Sequence, residues 1–317
     1  MATYIVQRLL ATIPVVLLTS IIVFLLMRLL PGDPVLMIVY QASADVSSEA
    51  VQQMRRQYGL DQPIHLQYLA WIGKLLSGDL GRSIISRQPA WDVLRPRILP
   101  TAQIGLTAWA LAILVAVPVG IVSAAEQSSW KDWLGTIGSL VGAAMPYFLT
   151  GGLLIYFVAM RWRMLPASGY VSPFIDPVRS VQTTILPALT LALWLASTIT
   201  RQTRGSFIDV LRQSYIRTAR AKGLSEGGVI RSHAFKNAML PVVTILGIQL
   251  GGLFSGAVIT ETIFAVPGVG RLMVDSILSR DYPLVQAVVL LITAAVVLAN
   301  LLVDLAYGVL DPRIRKA

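Results

Sequence analysis

Six uncharged apolar runs divide the chain, at residues 9–27, 98–125, 134–160, 184–200, 238–260 and 284–303. A helix crossing a hydrocarbon core needs about 20 residues, and each run reaches or approaches that length, the fourth being the shortest. The polar segments between them are too long and too charged to lie in lipid, which favours helices over a barrel. The pattern therefore predicts an all-α integral membrane protein with six transmembrane helices. The first run covers 19 residues and is followed by Arg28-Leu29-Leu30-Pro31. That is longer than a signal-peptide core and lacks a small-residue cleavage site, so it reads as a retained anchor.

Residues 31–97 form the one large polar segment. It opens on PGDP (31–34), a helix stop. Residues 48–58 read as a short helix with Ser47 or Ser48 as N-cap and Gly59 as its stop. Residues 64–76 read as a second, with Leu66, Leu69, Ile72 and Leu76 at helical spacing and Gly78 beyond. Together they predict a small amphipathic cap on one face of the bundle, too poor in apolar positions to fold alone. Pro14, Pro118 with Gly120, Pro146 and Pro187 predict bends inside the spans. Gly135, Gly138, Gly142 and Ala143, and again Gly247, Gly251, Gly252 and Gly256, are small enough for close helix contact. The same clusters fit a flexible wall beside a translocation path.

Residues 201–237 carry the most informative polar pattern. Phe207, Val210, Leu211, Tyr215 and Ala219 recur at intervals of three and four, as on one side of a helix. Gly223 then reads as a C-terminal cap. Ser225 can cap a second short helix, with Glu226 in its first turn. Val229, Ile230 and Phe235 give that helix an apolar edge, Arg231 and Lys236 stay polar, and Asn237 and Pro241 mark the next span. Such a segment is a short lateral helix shaped for a groove on a partner, or else a basic loop lying on anionic lipid.

Composition agrees with the membrane reading: 55% of residues are hydrophobic, 13% are charged, and mean hydropathy is +0.69. With the N-terminus inside, the cytoplasmic segments hold thirteen Lys/Arg, namely Arg8, Lys131, eight from Arg201 to Lys236, Arg313, Arg315 and Lys316. The two short outer loops hold five: Arg161, Arg163, Arg179, Arg271 and Arg280. The bias puts both termini in the cytoplasm, and segment 31–97 is long enough to be exempt from the rule. The membrane thus accounts for the net charge of +10 without nucleic acid. No cysteine is present, which removes disulfides, thiol nucleophiles and thiolate metal sites.

No apolar run has an ionisable residue in its middle; Glu261 closes the fifth and Asp304 lies near the inner end of the sixth. Ion-coupled pumps carry such residues as relays, so that class is disfavoured. No phosphate-binding loop of the GxxxxGK[ST] type occurs, although Lys74 and Lys222 lie near glycines. Asp33, Asp61, Asp79 and His65 match no metal or triad spacing, and the aspartates read as turn formers. His233 lacks a carboxylate partner beyond Glu226. The chain reads as no enzyme and needs no cofactor; active transport would require an external motor.

RTARAKGL (217–224) followed by KNAMLPVVT (236–244) resembles the cytoplasmic coupling loop of bacterial ABC importer permeases, in the first-permease branch of the dipeptide, oligopeptide and nickel systems. LPGDP (30–34), YGLDQP (58–63), GDLGRS (78–83), ILPALTL (185–191), TETIFAVPGVGRLMVDSI (260–277), RDYPLVQ (280–286) and NLLVDLAYGVLDPRIR (300–315) extend the likeness over the whole length. The wider superfamily opens this loop on Glu-Ala-Ala with a glycine four residues after the second alanine. Here Arg217-Thr218-Ala219 stands at that start with Gly223 in place, and Leu240-Pro241 follows at a longer spacing.

The resemblance implies a type I importer half-channel in the bacterial inner membrane. Residues 1–30 would form a peripheral helix, 31–97 an extracytoplasmic cap, and 98–308 the permease core containing coupling loop 201–237. It implies a second homologous permease, two ABC ATPase subunits holding about 219–228, an extracytoplasmic substrate-binding protein, and membrane lipid around the whole. The ATPase-coupling residues would be Arg217, Thr218, Ala219, Arg220, Ala221, Lys222, Gly223, Leu224, Ser225 and Gly228. Peptide, glutathione-like, nickel-chelate and oligosaccharide substrates all fall within the branch. The apolar run 263–269, in a loop that ought to be wet, suggests an outer gate or binding-protein contact at Pro267, Gly268, Gly270 and Arg271. A self-sufficient channel or secondary transporter is the competing reading.

Overall fold

A computed structural model describes residues 2–29, 48–57 and 61–310. The helix stops expected at 31–34 and Gly59, the cap Ser47, and Arg313, Arg315 and Lys316 lie outside the described residues, as do the side chains of Arg8 and Asp304. The long elements of the described chain are all helices: α1 (Ala2–Leu29), α2 (Ser48–Gln57), α3 (Ile64–Leu76), α4 (Ala90–Ala125), α5 (Trp130–Ala144), α6 (Tyr147–Leu154), α7 (Pro177–Leu211), α8 (Ser214–Ala221), α9 (Glu226–Val229), α10 (Phe235–Ile263), α11 (Val269–Leu278) and α12 (Tyr282–Leu310). Wider π-type turns extend α6 (Ile155–Arg161) and join α9 to α10 (Ile230–Ala234). Arg82 and Pro89 form an isolated bridge.

Among the described residues, four helices are long and apolar enough to cross a membrane, and a fifth crossing results if α5 and α6 count as one. The third apolar run is not a straight span. It bends by 104° between α5 and α6, because Pro146 offers no N–H and drives Met145 into an extended conformation, ψ 120°.

The fourth run, the shortest in the sequence, belongs to the central helix. α7 packs against α4, α5, α6 and α10, and 67% of its crossing stretch is buried, against 28% for α12. It carries buried Thr184, Thr190, Ser197, Thr200, Thr203 and Ser206. Two of these hydroxyls close on the preceding turn, Thr190 on the Leu186 carbonyl at 2.9 Å and Ser197 on Leu193 at 2.7 Å. Others reach across, Ser206 to the Ala238 carbonyl of α10 at 2.6 Å and Thr200 to Ala116 of α4 at 3.5 Å. Two further bonds bind α10: Trp109 Nε1 donates to Leu246 at 3.1 Å and Gln249 Nε2 to Leu195 at 3.2 Å.

Several glycines lie at helix crossings. A Cβ on Gly120 would sit 2.6 Å from Thr203 Cβ, and one on Gly142 or Gly247 would overlap Ser197 or Val303. Gly138 and Gly252 face open space, so close packing explains only part of each small-residue cluster.

The cap corrects the expected face of α3. Tyr68 meets Phe24 of α1 edge-on and Trp71 meets it tilted, with centroids 5.4 and 5.7 Å away, and the Ser20 and Tyr68 hydroxyls share a 2.8 Å hydrogen bond. Of the four predicted contact residues only Ile72 is partly covered; Leu66 and Leu69 are exposed and Leu76 is 83% exposed. The aromatic residues, one position away on the helical wheel, take the inner side.

Candidate functional site

Residues 201–237 fold into a small two-layer unit at one end of the bundle. α7 runs on to Leu211, and the chain then breaks at Gln213 (ψ 152°), so α8 leaves at a new angle and in a new register. Phe207, Leu211, Ile216, Ala219, Val229, Ala234 and Ala238 close over Ala124 as one buried cluster. The break moves the apolar side of α8 to Ile216 and Ala219. Tyr215, which the unbroken periodicity placed inward, is 39% exposed and accepts a 2.9 Å hydrogen bond from Asn237 Nδ2 at its hydroxyl.

Gly223 adopts φ +80°, the left-handed conformation expected of its capping role. Ser225 caps α9, accepting from the Gly228 N–H at 3.4 Å. Arg220 and Glu226 pair across the turn between them, Nε to Oε1 at 2.6 Å and Nη2 to Oε2 at 3.2 Å. The third guanidinium nitrogen, Nη1, lies 3.5 Å from the Leu211 carbonyl at the end of α7. That carboxylate raises the Arg220 guanidinium above its ordinary value.

The ten residues expected to couple to an ATPase thus separate by exposure. Arg217, Thr218, Arg220, Ala221, Lys222, Gly223, Leu224 and Ser225 are exposed and contiguous around the turn. Gly228 is half-buried, and Ala219 is only 4% exposed, facing the cluster. Arg212, Arg231, His233 and Lys236 are further exposed basic side chains of the segment. Ile216, the Tyr215–Asn237 bond and the Arg220–Glu226 pair escaped the sequence reading. Arg–Glu across a glycine-broken turn was the available signal for the last.

Beside this unit, Asp132 of α5 is buried and takes both Nε (2.6 Å) and Nη2 (2.9 Å) of Arg204 on α7. Its carboxylate also accepts from the Ser128 N–H at 3.0 Å. A buried carboxylate requires such partners, and the pair locks the start of α5 to the end of α7.

At the opposite end of the bundle the apolar turn after α10 is not wet. Phe264, Val266 and Val269 are buried. The Glu261 carboxylate, fully buried, accepts from the Thr101 hydroxyl and from the Arg271 N–H at 2.9 Å, while the Val269 N–H donates to Thr101 Oγ1 at 2.8 Å. Gly268 lies against that carboxylate, and a Cβ on Gly270 would come within 2.6 Å of Val258 Cα. Pro267 and Arg271 are half-buried. The turn at Pro267, Gly268, Gly270 and Arg271 is therefore clasped onto α4 and α10, and close approach alone accounts for both glycines.

Two more clasps hold this end. Tyr170 donates to Gln103 Oε1 at 2.9 Å, and Gln103 Nε2 donates to Ser180 (2.8 Å) and Thr184 (2.9 Å). Ser83 donates to the Asp281 carboxylate, which also takes the Ile84 N–H at 3.1 Å. Two sequence motifs nearly two hundred residues apart, GDLGRS and RDYPLVQ, meet there. Among the described residues, no group of three or more His, Cys, Asp or Glu side chains could hold a metal.

Comparison with known proteins agrees over the full length. The model for binding-protein-dependent transport system inner membrane components matches residues 116–316, and that for the N-terminal part of such membrane components matches residues 1–103. The glutathione transport system permease protein GsiC of Salmonella paratyphi A is 41% identical over 315 residues, 99% of either chain. Its Salmonella typhimurium counterpart is also 41% identical, and that of Escherichia coli K12 is 39% identical, each over 99% of both chains.

Proposed function

The chain belongs to the family of binding-protein-dependent transport system inner membrane components, and from that premise we propose how it works within its transporter. It is a multi-pass inner-membrane permease subunit of an ABC transport system, not itself an enzyme, and such systems carry ATPase and substrate-binding partners. Residues 1–30 form a peripheral helix, 31–97 an extracytoplasmic cap, and 98–308 one half of a pore completed by a second homologous permease. Both termini face the cytoplasm, as the basic-residue asymmetry suggests. Two ATPases hold this subunit and its companion, and the binding protein meets the clasped turns at the opposite end.

One observation supports the coupling assignment above the others: the turn from Arg220 to Ser225 projects as an exposed, basic edge from a buried apolar backing. A loop lying idle on lipid needs neither the backing nor the left-handed Gly223. ATP-driven approach of the ATPases displaces this edge, and the helices behind it follow. The substrate class we assign is a short peptide of glutathione type, since the relatives named above are permeases of glutathione systems.

The test is reconstitution of the full chain with its companion permease, ATPases and binding protein in lipid vesicles. Glutathione-loaded binding protein should stimulate ATP hydrolysis and drive uptake, and Lys222→Glu should weaken retention of the ATPase on the complex. Uptake by this chain without ATPases would overturn the assignment. Stimulation by other ligands and not by glutathione would refute the substrate class alone.

A further inference from the structure

Granting that residues 201–237 receive the ATPase, we propose that Arg220 is a positioning residue that ties the docking turn to the end of α7 and so transmits its displacement. α8 has eight residues, too few to hold a shape by itself. The backbone breaks on either side of it, at Gln213 and at Gly223. Its buried residues, Ile216 and Ala219, bind it to the cluster beneath. Apolar contact is non-directional, however; it opposes separation more than rotation or sliding.

Directional restraint on α8 comes from side chains at its two ends. Tyr215 bonds Asn237 of α10 at 2.9 Å. At the other end the Arg220 fork grips Glu226, the first residue of α9, through two nitrogens and offers the third to Leu211, the last residue of α7. One planar group therefore joins α7, α8 and α9 across both breaks and encloses the turn that carries Lys222, Gly223 and Leu224. A lysine has the charge but not the fork. The pair is largely exposed, at 39% and 62%, and exposed pairs add little to folding stability. Its role is therefore to set geometry, and its loss should leave the fold intact.

The experiment uses the whole reconstituted transporter and reads three quantities: ATPase retained on purification, unfolding temperature, and uptake per ATP hydrolysed. Glu226→Gln, outside the docking residues, should retain ATPase and unfold normally while uptake per ATP falls about three- to fivefold, the scale of losing one exposed bidentate pair; Arg220→Met should show the same fall. Arg220→Lys should fall between these variants and the parent, and exchanging the charges (Arg220→Glu with Glu226→Arg) should recover part of the loss. Unchanged uptake per ATP in Arg220→Met would overturn the proposal, as would failure of the charge exchange to recover anything. ATPase loss in Glu226→Gln equal to that in Lys222→Glu would also overturn it, because the pair would then belong to the docking contact. Full ATPase retention in Lys222→Glu would instead refute the docking assignment itself, and the two failures are distinguishable.

Discussion

Ala219 and Leu224 stand five residues apart in the expected docking segment, and charging each should damage the protein in different ways. Ala219 is 4% exposed and sits in the cluster with Phe207, Leu211, Ile216, Val229, Ala234 and Ala238. Ala219→Glu must either keep a carboxylate ionised there, at an effective penalty of several kcal/mol, or protonate it and still bury an unpartnered polar group at ~1–3 kcal/mol. Its extra length must also be accommodated, at a further ~1 kcal/mol or more. Taking ~3 kcal/mol as the net cost and 2–4 °C per kcal/mol for a chain of this size gives a fall in unfolding temperature of roughly 6–12 °C. Leu224, on the turn, is 43% exposed, so Leu224→Glu should leave unfolding unchanged and remove an apolar contact for the ATPase. The assay is thermal unfolding of the detergent-purified chain alongside ATPase co-elution from the complex. The reasoning is refuted if Ala219→Glu unfolds within about 2 °C of the parent, well inside the calculated shift. It is equally refuted if Leu224→Glu unfolds early or retains the full ATPase complement.

Asp132→Ala strips both contacts from Arg204. It should cost about 2 kcal/mol, below the usual range for breaking a buried pair because Arg204 is one-third exposed; a thermal double-mutant cycle with Arg204→Ala should show that the two losses are not additive. Gly247→Ala drives a methyl into Val303 and should lower the unfolding temperature, and Val303→Ala in the same chain should restore most of it; lack of rescue would mean that the α10–α12 approach is set elsewhere. Gly268→Ala displaces the Glu261 carboxylate and should loosen the clasped turn. Because the chain has no cysteine, a Val266→Cys probe, buried in the parent, would report this as new labelling by a membrane-impermeant thiol reagent; protection identical to the parent's would refute the clasp.

Local rules reach the parts of segment 201–237 that depend on local chemistry. Gly223 in a left-handed turn and Ser225 as a helix cap both follow from residue type alone. Periodicity does not reveal Ile216, because α8 starts afresh after Gln213 and no residue type there announces a break. The clasps at the opposite end join residues too far apart for periodicity to register, Thr101 with Glu261 and Ser83 with Asp281. The apolar run 263–269 looked anomalous for a loop only because its burial under those clasps was not visible. The face of α3 failed for a different reason. Leucine spacing marked one side, but Tyr68 and Trp71 offered α1 larger surfaces and a hydroxyl for Ser20.

The short apolar run of α7 and its central place have one physical cause. Inside a bilayer, burying apolar surface gains little, since lipid tails are as apolar as leucine; helices are joined by close packing and by polar bonds. A central helix must therefore exchange leucine for serine, threonine and small residues, which lowers its apparent fitness as a span. α7 does so along its whole length. Gln103 holds its first turns through Ser180 and Thr184, Gln249 meets the Leu195 carbonyl, and Gly142 lets α5 approach Ser197. Towards Leu211, Asp132 grips Arg204, Ser206 bonds the first turns of α10, and Arg220 reaches the last carbonyl. These ties come from both ends of the bundle and converge on one continuous 35-residue helix. On the proposed coupling, a push delivered beside Gly223 would reach α7 through these ties, and with it the helices bonded along its length.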